Sequence, residues 1–219
     1  EKQAENLFWQ QAVTVVDRAD YLAPLSNSLC YVLAVERMLG IDDVPERAQV
    51  LRVIFTELTR IASHLVWLGT HAIDLGAMSN FFYAFEMRER ILRIMEFVTG
   101  ARMHQSWFRI GGVALDVPKG FLAVLDEFIV AFPPRLADLR AILEGNVIMM
   151  DRLVGVGTID AADAIAWGLT GPSLRATGVA YDVRKSLPYC GYDKYDFEVP
   201  THNGGDCYSR FLVRVREMH

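Results

Sequence analysis

The chain has 219 residues, 52% hydrophobic and 22% charged, with a formal net charge of −5. This is a globular composition, sufficient for one hydrophobic core or a core with an appended lobe, and its negative balance offers no general attraction to nucleic acid or anionic lipid. The longest stretch without Asp, Glu, Lys or Arg, Tyr21 to Val35, is broken by Pro24, Ser26, Asn27 and Ser28, short of the ~20 apolar residues a membrane-spanning helix needs.

Taken in chain order, the first clear helical pattern runs from Pro24 to Leu39 and stops at Gly40. After the turn Ile41 to Pro45 comes the strongest pattern, with Leu51, Ile54, Leu58, Ile61, Leu65, Leu68 and Ala72 at three-four spacing, which predicts one buried stripe. Ser79 is placed to cap a third helix, Glu86/Arg90 and Glu89/Arg93 fall at i,i+4 on its wet side, and Gly100 ends it. Arg109 to Val113 reads as a connection. Asp116 and Pro118 open a fourth helix through Leu125, Phe128 and Phe132, which Pro133-Pro134 should break or kink before Leu136 to Leu143 resumes. Two short helices are expected near Val147–Leu153 and Ala161–Trp167.

From Gly168 to Gly205 the chain is rich in Gly, Pro and Tyr, with Phe197-Glu198-Val199 as its one plausible strand. A segment this long is expected to be an ordered arm with a functional or interfacial role. Asp206 then caps a last helix with Tyr208, Phe211, Leu212, Val215 and Met218 on one face. The expected organisation is a helical core over 1–167, an extended arm over 168–205 and, over 206–219, the start of a further, truncated helix. The fold class is mainly α: a long-helix bundle with little β. Glu1 is not an initiator Met and the last helix carries no stop signal, so both ends are expected to lie inside a longer protein.

Chemistry is sparse on residues alone. Cys30, Cys190 and Cys207 are scattered without a C-x-x-C pair, which gives no local zinc or iron–sulfur ligand set. Glu57, His64, His71 and Asp74 share one helix face, but His64 and His71 are ~10.5 Å apart along the axis, too far to hold one ion. Gly111-Gly112 and Gly155-Val156-Gly157 read as turns rather than phosphate loops. Arg18-Ala19-Asp20-Tyr21 reads as a surface charge pair beside a core-anchored tyrosine, and His104 as a satisfied polar residue. No Ser/His/Asp or Cys/His nucleophile arrangement follows from spacing. The bottom-up reading is a helical domain that works with partners and has no catalytic apparatus of its own.

The wording of the sequence says more. Arg47-Ala48, Arg52-Val53-Ile54, Glu57 through Leu65, Leu75 through Met78, Phe81 through Phe85, Thr99 through His104 and Arg109 through Val113 resemble the D chain of bacterial NADH–quinone oxidoreductase, respiratory complex I. So do Trp167 through Gly171 with Ser173-Leu174-Arg175, Tyr181 through Lys185, and Leu212 through Met218. The resemblance covers essentially the whole chain as a central fragment. It implies a fold shared with the large subunit of nickel–iron hydrogenases, without their C-x-x-C pairs. Ser79-Asn80 and Met87 depart from the family pattern, as does the missing N-terminal loop that brings a quinone-facing histidine.

By resemblance, Tyr21 matches the tyrosine that hydrogen-bonds the quinone head group, and Asp74 the carboxylate that partners the missing histidine. Thr70, Phe82 and Val66 match quinone-cavity positions. Arg18 and His104 match an arginine and a histidine beside a tetranuclear iron–sulfur cluster ligated by a neighbouring chain. The resemblance thus implies no cofactor or metal held by this chain alone, quinone as a substrate at a subunit interface, and proton pumping coupled to its reduction. It implies the B, C and I chains and the membrane-arm H chain as partners, no nucleic acid, and a peripheral place on the cytoplasmic side of the cell membrane. Ferredoxin- or deazaflavin-linked quinone oxidoreductases, membrane-bound hydrogenases and a non-catalytic assembly scaffold are the alternatives.

Overall fold

Residues 2–219 are described by a computed structural model, and helices make up nearly all of its regular structure. It divides into two compact units: residues up to Gly69 with Phe82–Phe132, and Thr70–Phe81 with Pro133–His219. The mainly α expectation holds.

In the first unit, α1 (Trp9–Val16) follows a 3-10 turn at Ala4–Asn6, neither of which the sequence pattern announced. Only two turns long, α1 depends on burying Ala12 and Val13 rather than on propensity. The second helix, α2 (Pro24–Leu39), has the expected bounds, with Pro24 in its first turn and Gly40 at φ 66° as its C-cap. The long helix α3 (Glu46–Asp74) also forms as expected. Its buried face is broader than one stripe: Leu51, Leu58, Leu65, Leu68 and Ala72 are buried, but so are Arg52, Phe55, Thr56, Thr59 and Ala62, while Ile54 and Ile61 are only half-buried. A helix with neighbours on two sides buries a wide arc, and polar residues enter it once they find partners.

Helix α4 (Met78–Thr99) begins one residue before Ser79, so Ser79 lies inside the first turn and is not the cap. Gly100 ends it at φ 78°. The Arg109–Val113 connection is a tight antiparallel hairpin of β1 (Phe108–Arg109) and β2 (Gly112–Val113), paired Phe108 to Val113 and Arg109 to Gly112. Gly111, at φ 84°, supplies the left-handed turn. The aromatic centre of this unit is Phe55, 4.8 Å from the Trp107 ring and 5.6 Å from Phe121.

Helix α5 (Phe121–Leu143) starts later than expected and runs unbroken through Pro133-Pro134, where the unit boundary falls. Asp116 instead accepts from Arg47 at 3.0 Å. The two prolines leave the carbonyls of Ile129 and Val130 without intrahelical donors, but both residues lie on the exposed side of the helix, where water can serve them.

In the second unit, α6 (Val147–Leu153) is capped by Asn146 and α7 (Ala161–Ala166) by Asp160. The arm is ordered by short turns rather than a strand: α8 (Gly171–Arg175), α9 (Val183–Ser186) and a 3-10 turn at Tyr192–Lys194. Phe197-Glu198-Val199 is irregular. Instead of pairing in a sheet, Phe197 is covered by cations, with the Arg184 guanidinium 4.7 Å and the Lys185 ammonium 4.4 Å from its ring centre. The last helix, α10 (Cys207–Glu217), is capped by Asp206 as expected and buries Ser209, Phe211, Val213 and Val215. Among the described residues no helix is long and apolar enough to cross a membrane.

Candidate functional site

Two buried polar clusters flank the hairpin of the first unit. In one, Arg52 of α3 makes a bidentate pair with Glu36 of α2, at 2.6 and 3.1 Å, with both side chains nearly inaccessible. The same guanidinium donates to the carbonyls of Arg109 (2.7 Å) and Gly112 (3.0 Å), and Glu36 accepts the Gly111 N–H at 2.7 Å. The hairpin is therefore clamped to α2 and α3 by charge-assisted hydrogen bonds.

The other cluster lies on the loop 100–107 that leads into β1. His104 and Ser106 both have positive φ, 53° and 43°, a conformation L residues rarely adopt. Asp17, fully buried where α1 ends, holds this loop: one carboxylate oxygen accepts from the Ser106 N–H at 2.6 Å and from its hydroxyl at 2.9 Å. Burial pushes the Asp17 carboxyl above the ordinary carboxylate range, against the two Ser106 hydrogen bonds and the charges of His104 and Arg18. The second Asp17 oxygen, His104 Nδ1, Gln105 Oε1 and Trp107 Nε1 are all buried without a hydrogen-bond partner.

A small pocket opens beside this loop, lined among others by Tyr21, Thr59, Arg88, Met95, Arg102 and Gln105. Tyr21 is 62% exposed, so it is not the core anchor its surroundings suggested. Arg88 Nε is buried without a partner, and burial pulls its pKa down. Arg102, also in the lining, makes a bidentate pair with Glu89, at 2.6 and 3.0 Å. Arg18 is exposed and donates to the Thr14 carbonyl one turn back rather than pairing with Asp20. Tyr21, Arg18 and His104 thus belong to the first unit, with Tyr21 and the loop residues Met103 and Gln105 lining one small pocket. Phe82, 66% exposed, and half-buried Val66 belong to the same unit at other positions.

Thr70 and Asp74 fall in the second unit, both exposed, with Asp74 the last residue of α3. His71, one turn before it, has its pKa lowered by burial, which outweighs the raising effect of Asp74. Among the described residues no three His, Cys, Asp or Glu side chains gather to hold a metal.

Sequence spacing missed two groupings in the second unit. The first brings His202, Asp206 and Ser209 together: the Ser209 hydroxyl donates to Asp206 at 2.6 Å and lies 2.8 Å from His202 Nδ1. Ser209 is 1% exposed and its partner is the helix cap, so this is a structural clasp and not a nucleophile. The second is a buried ion network in which Arg175 donates to Glu217 at 2.8 Å and to the Tyr181 carbonyl at 3.0 Å, while Arg184 pairs with Asp182 at 2.6 Å. Burial drives the Asp182 pKa up, but the Arg184 hydrogen bonds overcome it and the net direction is down. This network ties the arm to α10. Gly205 is obligatory beside it, since a Cβ there would sit 2.2 Å from the Ile159 carbonyl oxygen.

The class these features define is a mainly helical protein that, among the described residues, gathers no metal-ligand set. Comparison with known proteins identifies the family. Residues 74–219 match the family model described as respiratory-chain NADH dehydrogenase, 49 Kd subunit. The chain is 57% identical over 218 residues to a D-type subunit of NADH-quinone oxidoreductase from Chloroflexus aurantiacus, covering 100% of this chain and 53% of that one. It is 57% identical to the corresponding D-type protein of a Roseiflexus species (52% of that chain) and 51% identical to that of Geotalea uraniireducens (56% of that chain). The chain belongs to this 49 Kd subunit family, and it spans about half the length of the curated relatives it matches.

Proposed function

We propose that this chain forms part of the D-type subunit of an NADH–quinone oxidoreductase, lining a quinone-binding cavity beside an iron–sulfur cluster that a neighbouring subunit ligates. The observation that carries the reading is the match, along the whole of this chain, to relatives bearing that subunit name. The geometry of the first unit supports it: an exposed phenol, two arginines and a loop with unpartnered buried polar atoms suit a surface completed by another chain. The B, C and I chains and the membrane-arm H chain are the proposed partners, with this protein peripheral on the cytoplasmic face of the cell membrane.

Quinone reduction needs two electrons and two protons at one place. The partner's cluster would supply the electrons singly. This chain contributes the groups that bind, orient and move protons. Tyr21 presents a hydroxyl for which no intrachain hydrogen bond is seen among the described residues, so its donor is available to a quinone oxygen. A neutral donor aimed at an oxygen that becomes basic as it gains electrons is most effective at that moment. Asp74 would orient a histidine brought by a segment outside these residues. Thr70, Phe82 and Val66 would form cavity wall, and Arg18 and His104 would face the cluster.

Tyr21→Phe keeps the ring and removes only the donor. In the assembled enzyme, quinone turnover should fall by about 10²-fold, the lower end for a positioned proton donor, while cluster reduction by the upstream donor continues. Asp74→Asn should be milder. Unchanged turnover in Tyr21→Phe, or a cluster that can no longer be reduced, rejects the quinone assignment.

A further inference from the structure

We infer that Asp17 is the positioning partner of His104: its free carboxylate oxygen takes the proton-bearing Nδ1 of the imidazole, directly or through one water. The two atoms are a buried acceptor and a buried ring nitrogen, and neither has another partner. Leaving such atoms unsatisfied is costly, so their coexistence in the loop and its anchor calls for a shared proton or a bridging water. The carboxylate is held in place beside the loop. Its other oxygen is pinned by the Ser106 N–H and hydroxyl, two residues after His104, and those bonds hold Ser106 in its left-handed conformation. His104 adopts the same rare conformation without a hydrogen bond from its buried ring nitrogen. The charge of His104 also acts on the Asp17 carboxyl, as expected of near neighbours.

Apart from Arg88 of α4, whose Nε is buried without a hydrogen-bond partner, the other charges around the loop have partners. Arg18 follows Asp17 and donates to the Thr14 carbonyl. Arg109 on β1 donates to the carbonyls of Ser106 and Phe108. Arg102, in the same loop, is paired with Glu89, and Glu36 on α2 is closed off by Arg52. Among these groups Asp17 alone offers His104 a buried anionic oxygen with no other hydrogen bond. The carboxylate thereby sets the orientation of the ring and places a negative charge beside it.

This inference rests on the proposed place of His104 beside the cluster, where reducing the cluster favours imidazolium and makes the cluster potential depend on pH. The test is a redox titration of the cluster across pH in the assembled enzyme, with three variants. His104→Met should flatten the dependence. Asp17→Asn keeps the shape but removes the charge, and should move the pH-dependent window to lower pH by about one unit or more. Ser106→Ala disturbs the same loop yet leaves the carboxylate, and should leave the window in place. A flat His104→Met with an Asp17→Asn window at its wild-type position overturns the inference and leaves the proposed function standing. Equal shifts in Asp17→Asn and Ser106→Ala reduce Asp17 to a loop support and also overturn it. A wild-type profile in His104→Met rejects the placement of His104 itself, and the inference with it.

Discussion

The Glu36–Arg52 cluster and the Asp17–His104 loop sit on either side of one hairpin, but they are built on opposite terms. In the first, the ion pair is bidentate and the guanidinium also serves two backbone carbonyls. In the second, four buried polar atoms are left open within one short loop and its anchor. A fold gains nothing from the second arrangement. Closed polar networks specify a structure, whereas open ones mark a place where a chain departs from the rules of folding for another purpose. The contrast puts the stability of the first unit in the clamp and leaves the loop open for the role proposed for it.

The largest expected effect lies in the clamp. Arg52→Met strands the Glu36 carboxylate in a nearly inaccessible site, a change that costs about 3–5 kcal/mol. The assembled enzyme should form in poor yield and lose this chain at markedly lower urea. Adding Glu36→Met should restore part of the loss, because an apolar pair of similar volume replaces both charges. A double variant no better than Arg52→Met would mean that the two residues do not act as a unit.

How much of this was legible in the sequence differs between the two clusters. The helices that carry the clamp were read with nearly correct ends, because Pro24, Gly40 and the Leu51–Ala72 spacing are local signals. The clamp itself was not read, since Arg52 falls on the buried face only because Glu36, sixteen residues earlier, and a hairpin far downstream meet it there. Pro133-Pro134 misled for a related reason: a proline's cost inside a helix depends on whether the freed carbonyls reach water, which local sequence does not reveal. In the site, Tyr21 and His104 were reached through family resemblance and not through spacing. Asp17 was missed altogether, although it precedes Arg18, because its importance comes from burial and from Ser106. One signal was available: a lone Asp ending a helix that begins at the aromatic Trp9 and is otherwise apolar on its buried side.

Acid should separate the open loop from the closed network of the second unit. Asp182 has a folded pKa below the ordinary carboxylate value of 3.8, so its contribution to stability is present above that value and lost as pH falls through the lower folded pKa. Asp17 is the reverse. Its folded pKa lies above 3.8, so its contribution is fully present below 3.8 and is lost as pH rises through the raised value. Hydrogen exchange in the assembled enzyme, corrected for its intrinsic pH dependence, should show protection near Ser106 decreasing as pH rises from about 4. Protection near Arg184 should hold over the same range and weaken only at lower pH. Parallel changes at the two segments would erase the distinction between them.

The smallest effect is the sharpest test of what an open polar atom is worth. Gln105 is 9% exposed, donates to the Arg102 carbonyl at 3.0 Å, and leaves its own carbonyl oxygen buried and unpartnered. Gln105→Met keeps the length and flexibility of the side chain. It removes one hydrogen bond, about 1 kcal/mol, and also the penalty of a buried acceptor without a donor, about 1–3 kcal/mol. The two terms oppose each other, so within this chain the substitution should be near neutral, or stabilising by up to ~2 kcal/mol. A loss greater than ~2 kcal/mol, read as a lower urea midpoint in the assembled enzyme, would mean that the Gln105 oxygen has a donor there. That donor would have to come from water or a neighbouring chain of the complex. The loop would then count as closed on assembly, and its difference from the Glu36–Arg52 clamp would lie in who supplies the partners and not in whether they exist.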